Sequence, residues 1–157
     1  MIVVADTSPI LNLERIGSLD LLPALYGQVV IPESVQRELS PSQAVEFASL
    51  AWLKIMRASN RTLVEDLRLQ VDAGEAEAIA LAGELQADLL LIDERGGRTL
   101  ASARGIPITG LAGVLLEAKR ADLIREVKPI LDELITVARF RISKDLYQRV
   151  LDLADEI

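Results

Sequence analysis

Short apolar runs alternate along the chain with stretches whose apolar residues recur every three or four positions. By that pattern Ile2–Ala5, Gln28–Ile31, Asp88–Ile92 and Ile106–Ile108 read as strands, with Ala51–Met56 a weaker fifth. Between them Pro9–Ile16, Leu19–Leu25, Pro32–Leu39, Pro41–Leu50, Leu63–Val71, Gly74–Leu85, Arg98–Ala103 and Leu111–Lys119 read as helices. Strands alternating with helices predict βαβ units and a parallel sheet, an α/β fold. Ile2–Ala5 and Leu89–Ile92 contain no polar residue, as expected of parallel strands covered on both faces. Ser8–Pro9 places a hydroxyl cap before a proline at the first helical position, and Pro32 opens the next helix in the same way. Beyond these, Ile124–Ala138 and Lys144–Ala154 are helical by spacing, with Leu146, Val150 and Leu153 on one stripe, and Phe140–Ile142 predicts a short extended piece. No repeat, flexible linker or block of like charge divides the chain. The expected organisation is a domain over 1–120 and a helical extension over 121–157 packed on it.

Composition narrows the chemistry. The chain has 157 residues, one domain's worth, and is 50% hydrophobic but only 3% aromatic, so its core is aliphatic. It has neither cysteine nor histidine. That excludes disulfides, thiolate nucleophiles, structural zinc sites and any mechanism with imidazole as base. Catalysis would fall to carboxylates, hydroxyls, Lys or Arg, and a metal would be held by oxygen. A net charge of −7 opposes nucleic acid in bulk, so such a partner would need metal ions or a local basic rim. MIVVADTSP meets Asp6 after too few apolar residues for a signal peptide, and no apolar run nears the ~20 residues that span a bilayer. The expectation is a cytoplasmic protein without a membrane partner.

The acids are placed unevenly. Asp6 and Asp93 each directly follow an apolar strand, where open α/β sheets bind ligands. Either alone reads first as a helix cap; the pair, on neighbouring strands, would repel unless a cation lay between them, and points to a metal. On a helical wheel over Gly74–Leu85, Glu75 sits at the centre of an arc of Ala76, Ala78, Ile79, Ala82, Gly83 and Leu85, where an unpaired charge is costly. Glu77 and Glu84 fall on the opposite side, an expected solvent-facing pair. Glu38 lies at the edge of its helix's apolar stripe, which fits a cleft lip or a solvated flank. Arg95 and Arg98, just beyond Asp93, could clamp phosphates or be solvated. Gly96-Gly97 belongs to no phosphate-binding loop, and Ser8 has no base to make it a nucleophile. A receiver domain is disfavoured, since the adjacent acidic pair and the last-strand lysine it expects are missing.

The ordered segments VVADTSPIL, IPESVQREL, GEAEAIALAGELQADLLLIDERGGR, ITGLAGVLLEAKR and FRISKDLYQRVL resemble, over nearly the whole chain, a prokaryotic branch of the PIN-domain family, relatives of VapC-type toxin ribonucleases. The resemblance implies a three-layer fold with a central five-stranded parallel sheet between helices. It also implies acids at one end of the sheet holding Mg2+ or Mn2+. Asp6 and Asp93 match the strand-end ligands, Glu75 the acid opening the helix before strand four, Glu38 the acid of the earlier helix, and Ser8 the small polar residue supporting the site. The implied activity is metal-dependent endoribonuclease hydrolysis of RNA, as the toxin of a toxin–antitoxin pair, with a cognate antitoxin and a second copy of the chain as partners. One departure stands out. Many PIN nucleases carry a further acid where this chain has Gly96-Gly97, leaving Glu94 as the substitute and a second metal site open. The alternative is a catalytically weak PIN-like module that binds nucleic acid or protein.

Overall fold

The computed structural model describes residues 1–156. Five strands, β1 (Val3–Ala5), β2 (Val29–Pro32), β3 (Leu53–Met56), β4 (Leu89–Leu91) and β5 (Ile108–Thr109), form one all-parallel sheet in the order β3-β2-β1-β4-β5. The chain winds outward from β1 through β2 to β3, then returns to lay β4 on the other side of β1. The order therefore reverses between β1 and β4. Their register pairs Val3 with Leu89, Val4 with Leu90 and Ala5 with Leu91, so the two strands end level.

Ten helices among the described residues complete the fold: α1 (Thr7–Arg15), α2 (Leu21–Tyr26), α3 (Glu33–Arg37), α4 (Pro41–Ala48), α5 (Arg61–Leu67), α6 (Ala73–Glu84), α7 (Arg95–Ala103), α8 (Leu111–Arg120), α9 (Val127–Thr136) and α10 (Lys144–Leu153). Alternate strand residues feed two separate cores, since side chains on a strand point to opposite faces. Val3, Ala5, Val29, Ile31 and Leu91 join Ile10, Leu13, Leu115 and Leu131 on one side. Val4, Val30, Leu90 and Ile92 join Val64, Leu67, Ile79 and Ala101 on the other. The result is the three-layer α/β arrangement that the sequence pattern predicts.

The elements beyond residue 120 share the first core through Val127, Leu131, Leu134, Val150 and Ala154. Their ends are tied down as well. Glu156 accepts the backbone N–H of Val127 (2.7 Å) and of Lys128 (2.8 Å), donors at the start of α9 that lack partners within the helix. Lys119 Nζ on α8 reaches Glu156 at 3.0 Å. The stripe on α10 is only partly spent on this packing: Val150 is buried, while Leu146 and Leu153 stay 46% and 56% exposed. No described helix is long and apolar enough to cross a membrane.

Four local expectations are corrected. Phe140–Ile142 is not a strand but an irregular loop between α9 and α10. The helix after β1 starts at Thr7 with Asp6 at its N-cap position, so Ser8 lies inside the first turn and is not the cap. Pro32 closes β2 and stands as the N-cap of α3, and Glu38 follows the last helical residue of α3. The largest correction concerns Glu77, which is 0% exposed and not solvent-facing. Every residue from Gly74 to Ala82 is buried, because α6 packs on β1, β2 and β4 and is flanked by α3, α5 and α7. Its wheel carries alanine on all sides, the mark of a helix covered all round, and cannot separate Glu75 from Glu77.

Glu77 is a paired structural acid. Oε1 accepts the backbone N–H and the hydroxyl of Ser34, both at 2.7 Å, and Oε2 accepts Ala58 N–H at 3.2 Å and pairs with Arg61. Burial pushes its carboxyl upward, but these donors outweigh burial and hold it below the ordinary carboxylate range. Glu77→Gln, which gives up a charge-assisted pair and leaves Arg61 without its partner, is expected to destabilise the fold by about 1–3 kcal/mol. A low folded-state pKa contributes stability above the ordinary carboxylate range that disappears as the pH falls through it. Urea unfolding at pH 7 and pH 4 checks both, with a smaller gap between variant and parent at pH 4.

Candidate functional site

The reversal of strand order places two loops side by side at the carboxyl ends of β1 and β4. Asp6 extends the pairing by one more bond, its N–H donating to Leu91 O at 3.0 Å, and Asp93 follows Ile92 on the neighbouring strand. Around Asp6 lies a cleft of about 360 Å³ lined by Asp6, Glu38, Asp72, Glu75 and Glu94, with Thr7, Ser8, Asn12 and Arg15 from α1. Asp6, Glu38 and Glu75, named from the sequence, share this cleft with Ser8. Asp93 and Arg98 line the groove that adjoins it, which Ser8 also borders. Arg95 borders neither; it lines a shallow depression together with Asp93, Arg98, Thr99 and Ser102.

Each acid is held differently. Asp6 is 4% exposed and stands at the N-cap position of α1, yet its side chain makes no capping bond to that helix. Burial first, then the charges of Asp72, Glu38 and Asp93, push its carboxyl up to about 7, against the adjacent Thr7 N–H. Glu75, 6% exposed, is pushed up to about 8 by burial and then by Asp72, Asp6 and Glu94. Glu38 is exposed, and its Oε2 accepts the Thr7 hydroxyl at 2.6 Å. Asp93 Oδ1 accepts Leu111 N–H at 3.0 Å and so caps α8, while its Oδ2 is buried with no hydrogen-bond partner. Burial raises the Asp93 carboxyl despite Leu111 N–H and the nearby Arg98 guanidinium, which itself donates to Ile92 O at 2.9 Å.

Three glycines leave the space that these carboxylates occupy. A Cβ on Gly74 would lie 2.5 Å from Glu38 Oε1. One on Gly97 would lie 2.5 Å from Ile92 Cδ1 and 3.2 Å from Glu75 Oε2, and one on Gly110 would strike Asp93 Oδ1. A Cβ at position 97 would strike Ile92 first and crowd Glu75 second, which is a steric reason for the glycine there.

Sequence reasoning missed Asp72, whose side chain caps α6 by accepting Glu75 N–H at 2.9 Å and crowds the same cleft. The Asp72-x-x-Glu75 spacing is a capping signal that could have drawn attention to it. It also missed Thr7, Asn12 and Arg15. Ser8, Asn12 and Arg15 recur at i, i+4 and i+7, a polar stripe on α1 aligned with the end of β1.

The profile of a family described as PIN domain matches residues 2–156. The chain belongs to the PIN-domain family. No curated protein matches it. PIN domains are in general nucleases, hydrolytic enzymes that use divalent metal ions. The donors of this PIN domain suit such an ion: they are all oxygen, they repel one another without a cation, and Asp93 Oδ2 is buried without a partner. Among the described residues, no group of three or more acids stands close enough together to hold a metal ion as placed. Mg2+ commonly takes one or two carboxylates and keeps several waters, so its chemistry does not demand such a group.

Raised carboxyl pKa values fix the sign of the pH dependence. A folded state that binds protons more tightly than the unfolded chain loses stability as the pH rises. In EDTA, stability contributed by Asp6 and Glu75 is expected to fall between the ordinary carboxylate range and about pH 8. Asp6→Asn should melt at or above the parent temperature at pH 8, and Mn2+ should raise the melting temperature of the parent more than that of the variant. Calorimetry in EDTA and in Mn2+ reads both; a marked loss of stability in metal-free Asp6→Asn would make Asp6 a structural group.

Proposed function

We propose that this PIN domain is a divalent-metal-dependent endoribonuclease. The observation that carries the reading is the burial of Asp6 and Glu75 among Asp72, Glu38 and Asp93 at the strand-order reversal, an arrangement of like charges that favours a cation. Asp6, Asp93 and Glu75 would hold Mg2+ or Mn2+, with Glu38 at the lip to orient water. When bound, the ion supplies charge neutralisation at the scissile phosphate and acidifies water for attack.

The chain's own groups do the positioning. Thr7 fixes Glu38 through its hydroxyl, and Leu111 N–H fixes one oxygen of Asp93 while leaving the other free. Ser8, on the first turn of α1, borders both cavities where a phosphate would enter. Arg98 keeps a positive charge beside Asp93, and Arg15 stands at the rim. Arg95 borders neither cavity but lines a shallow depression with Asp93 and Arg98, from which it would meet a phosphate on the Asp93 side. Action as a toxin with an antitoxin partner belongs to the proposal, and an adjacent small reading frame in the genome would support it. The second reading, a module that binds without cleaving, draws on Gly97, which stands in place of the further acid that many PIN nucleases carry and where a Cβ would strike Ile92 and crowd Glu75.

One assay separates the two readings. Labelled RNA incubated with the protein in Mn2+ should be cut internally, with no cleavage in EDTA. Asp6→Asn, Asp93→Asn and Glu75→Gln should each lower the rate on the order of 100-fold or more, the loss of a cation-holding group expressed as rate. Intact RNA with every protein would leave the binding module.

A further inference from the structure

A larger cavity of about 690 Å³ runs beside the acidic cleft. The two share Ser8, Asn12, Arg15 and Glu94, so they form one continuous surface across α1. The far wall is the loop between α9 and α10, with Arg139, Phe140 and Arg141, backed by Leu146. The floor includes Thr109, Gly110 and Gly113; a Cβ on Gly110 would strike Asp93, so the glycine lets this backbone lie directly against that carboxylate.

Two properties of this wall bear on what it could bind. The first is charge. Arg15, Arg98, Arg139 and Arg141 line the cavity, and among the described residues none of them forms an ion pair, although the chain as a whole carries −7. The second is Phe140. It is half-buried, and among the described residues it is the one aromatic that lines either cavity. Phe47 is buried in the core, and the Tyr147 hydroxyl is taken by Asp132 at 2.6 Å. The loop is also held in place. Phe140 N–H donates to Leu134 O at 2.9 Å, Arg139 turns the chain at φ 60°, and the Ser143 side chain caps α10 through Leu146 N–H at 3.1 Å.

We propose that this groove binds a single-stranded RNA segment flanking the scissile phosphate, with a base stacked on Phe140 and phosphates taken by Arg139, Arg141 and Arg15. The choice of RNA as occupant rests on the nuclease reading. An aromatic face flanked by guanidinium groups suits a strand with splayed bases, because duplex bases are already stacked on one another. Arginine presents paired N–H donors that match phosphate oxygens.

The test measures binding apart from cleavage. A fluorescein-labelled 12-nucleotide oligouridylate is titrated with Asp6→Asn protein in Mg2+, and anisotropy is followed over a range of salt. In that background Phe140→Leu, which keeps apolar packing but removes the π-face, should weaken binding on the order of 10-fold, and Phe140→Trp should retain it. Arg139→Gln with Arg141→Gln should flatten the slope of log affinity against log salt by about 0.7 per arginine. Circular dichroism melts establish that each variant is folded. Unchanged affinity and slope in folded variants would overturn the groove, as would equal binding of a duplex or of a poly-glutamate peptide. If unsubstituted protein cuts no RNA in Mn2+ while these binding effects hold, the groove stands and the nuclease reading falls. If it cuts RNA while the variants bind as the parent does, the nuclease reading stands and the groove falls.

Discussion

Parallel pairing of β1 with β4 is the constraint on which the molecule turns. It joins the two halves of the sheet at the one place where the winding direction reverses, and it ends both strands at the same level. Two loops then diverge from a common point, and the space between them becomes a cleft without any further element having to bend. The start of α6 closes that space from the side through Asp72 and Glu75. The cost is a concentration of negative charge in a half-enclosed volume. Apolar strands with both faces covered supply the stability that lets the charge persist.

Glu75 and Glu77 show how position in space sets the behaviour of identical side chains. They lie two residues apart on one buried helix. Glu77 meets donors, Ser34, Ala58 and Arg61, and stays ionised as a tie between α6 and the segments after β2 and β3. The charged groups that face Glu75 are acids, which together with burial lift its carboxyl to about 8. One acid strengthens the fold as it ionises; the other weakens it unless a cation arrives. Helices that carry both kinds can be stable and still keep a site under electrostatic stress.

The C-terminal elements do more than extend the core. Glu156 satisfies the first turn of α9 and Lys119 joins it to α8, while Phe140 N–H on Leu134 O holds the loop after α9, which borders the groove beside the acidic cleft. An acidic chain thereby presents a basic wall next to its acids. Local arrangement, and not net charge, governs what such a surface can attract, because fields between exposed charges fade within about 8–10 Å in physiological salt.

The alternation of apolar runs with helical spacing determined the α/β class, the parallel sheet and nearly every element, because these depend on periodicities confined to a few neighbouring residues. Position after a buried strand likewise singled out Asp6 and Asp93. What periodicity could not supply was anything that depends on partners distant in sequence. The facing of Glu77 depends on Ser34 and Arg61, the space beside Gly74 on Glu38, and the bond holding Glu38 on Thr7. The loop at Phe140 read as a strand because its residues favour extended backbone, yet the fold pairs it with no strand of the sheet. Local sequence decides which elements form; the crossing of the chain at the centre of the sheet decides which side chains meet, since that pairing is made between residues more than eighty positions apart.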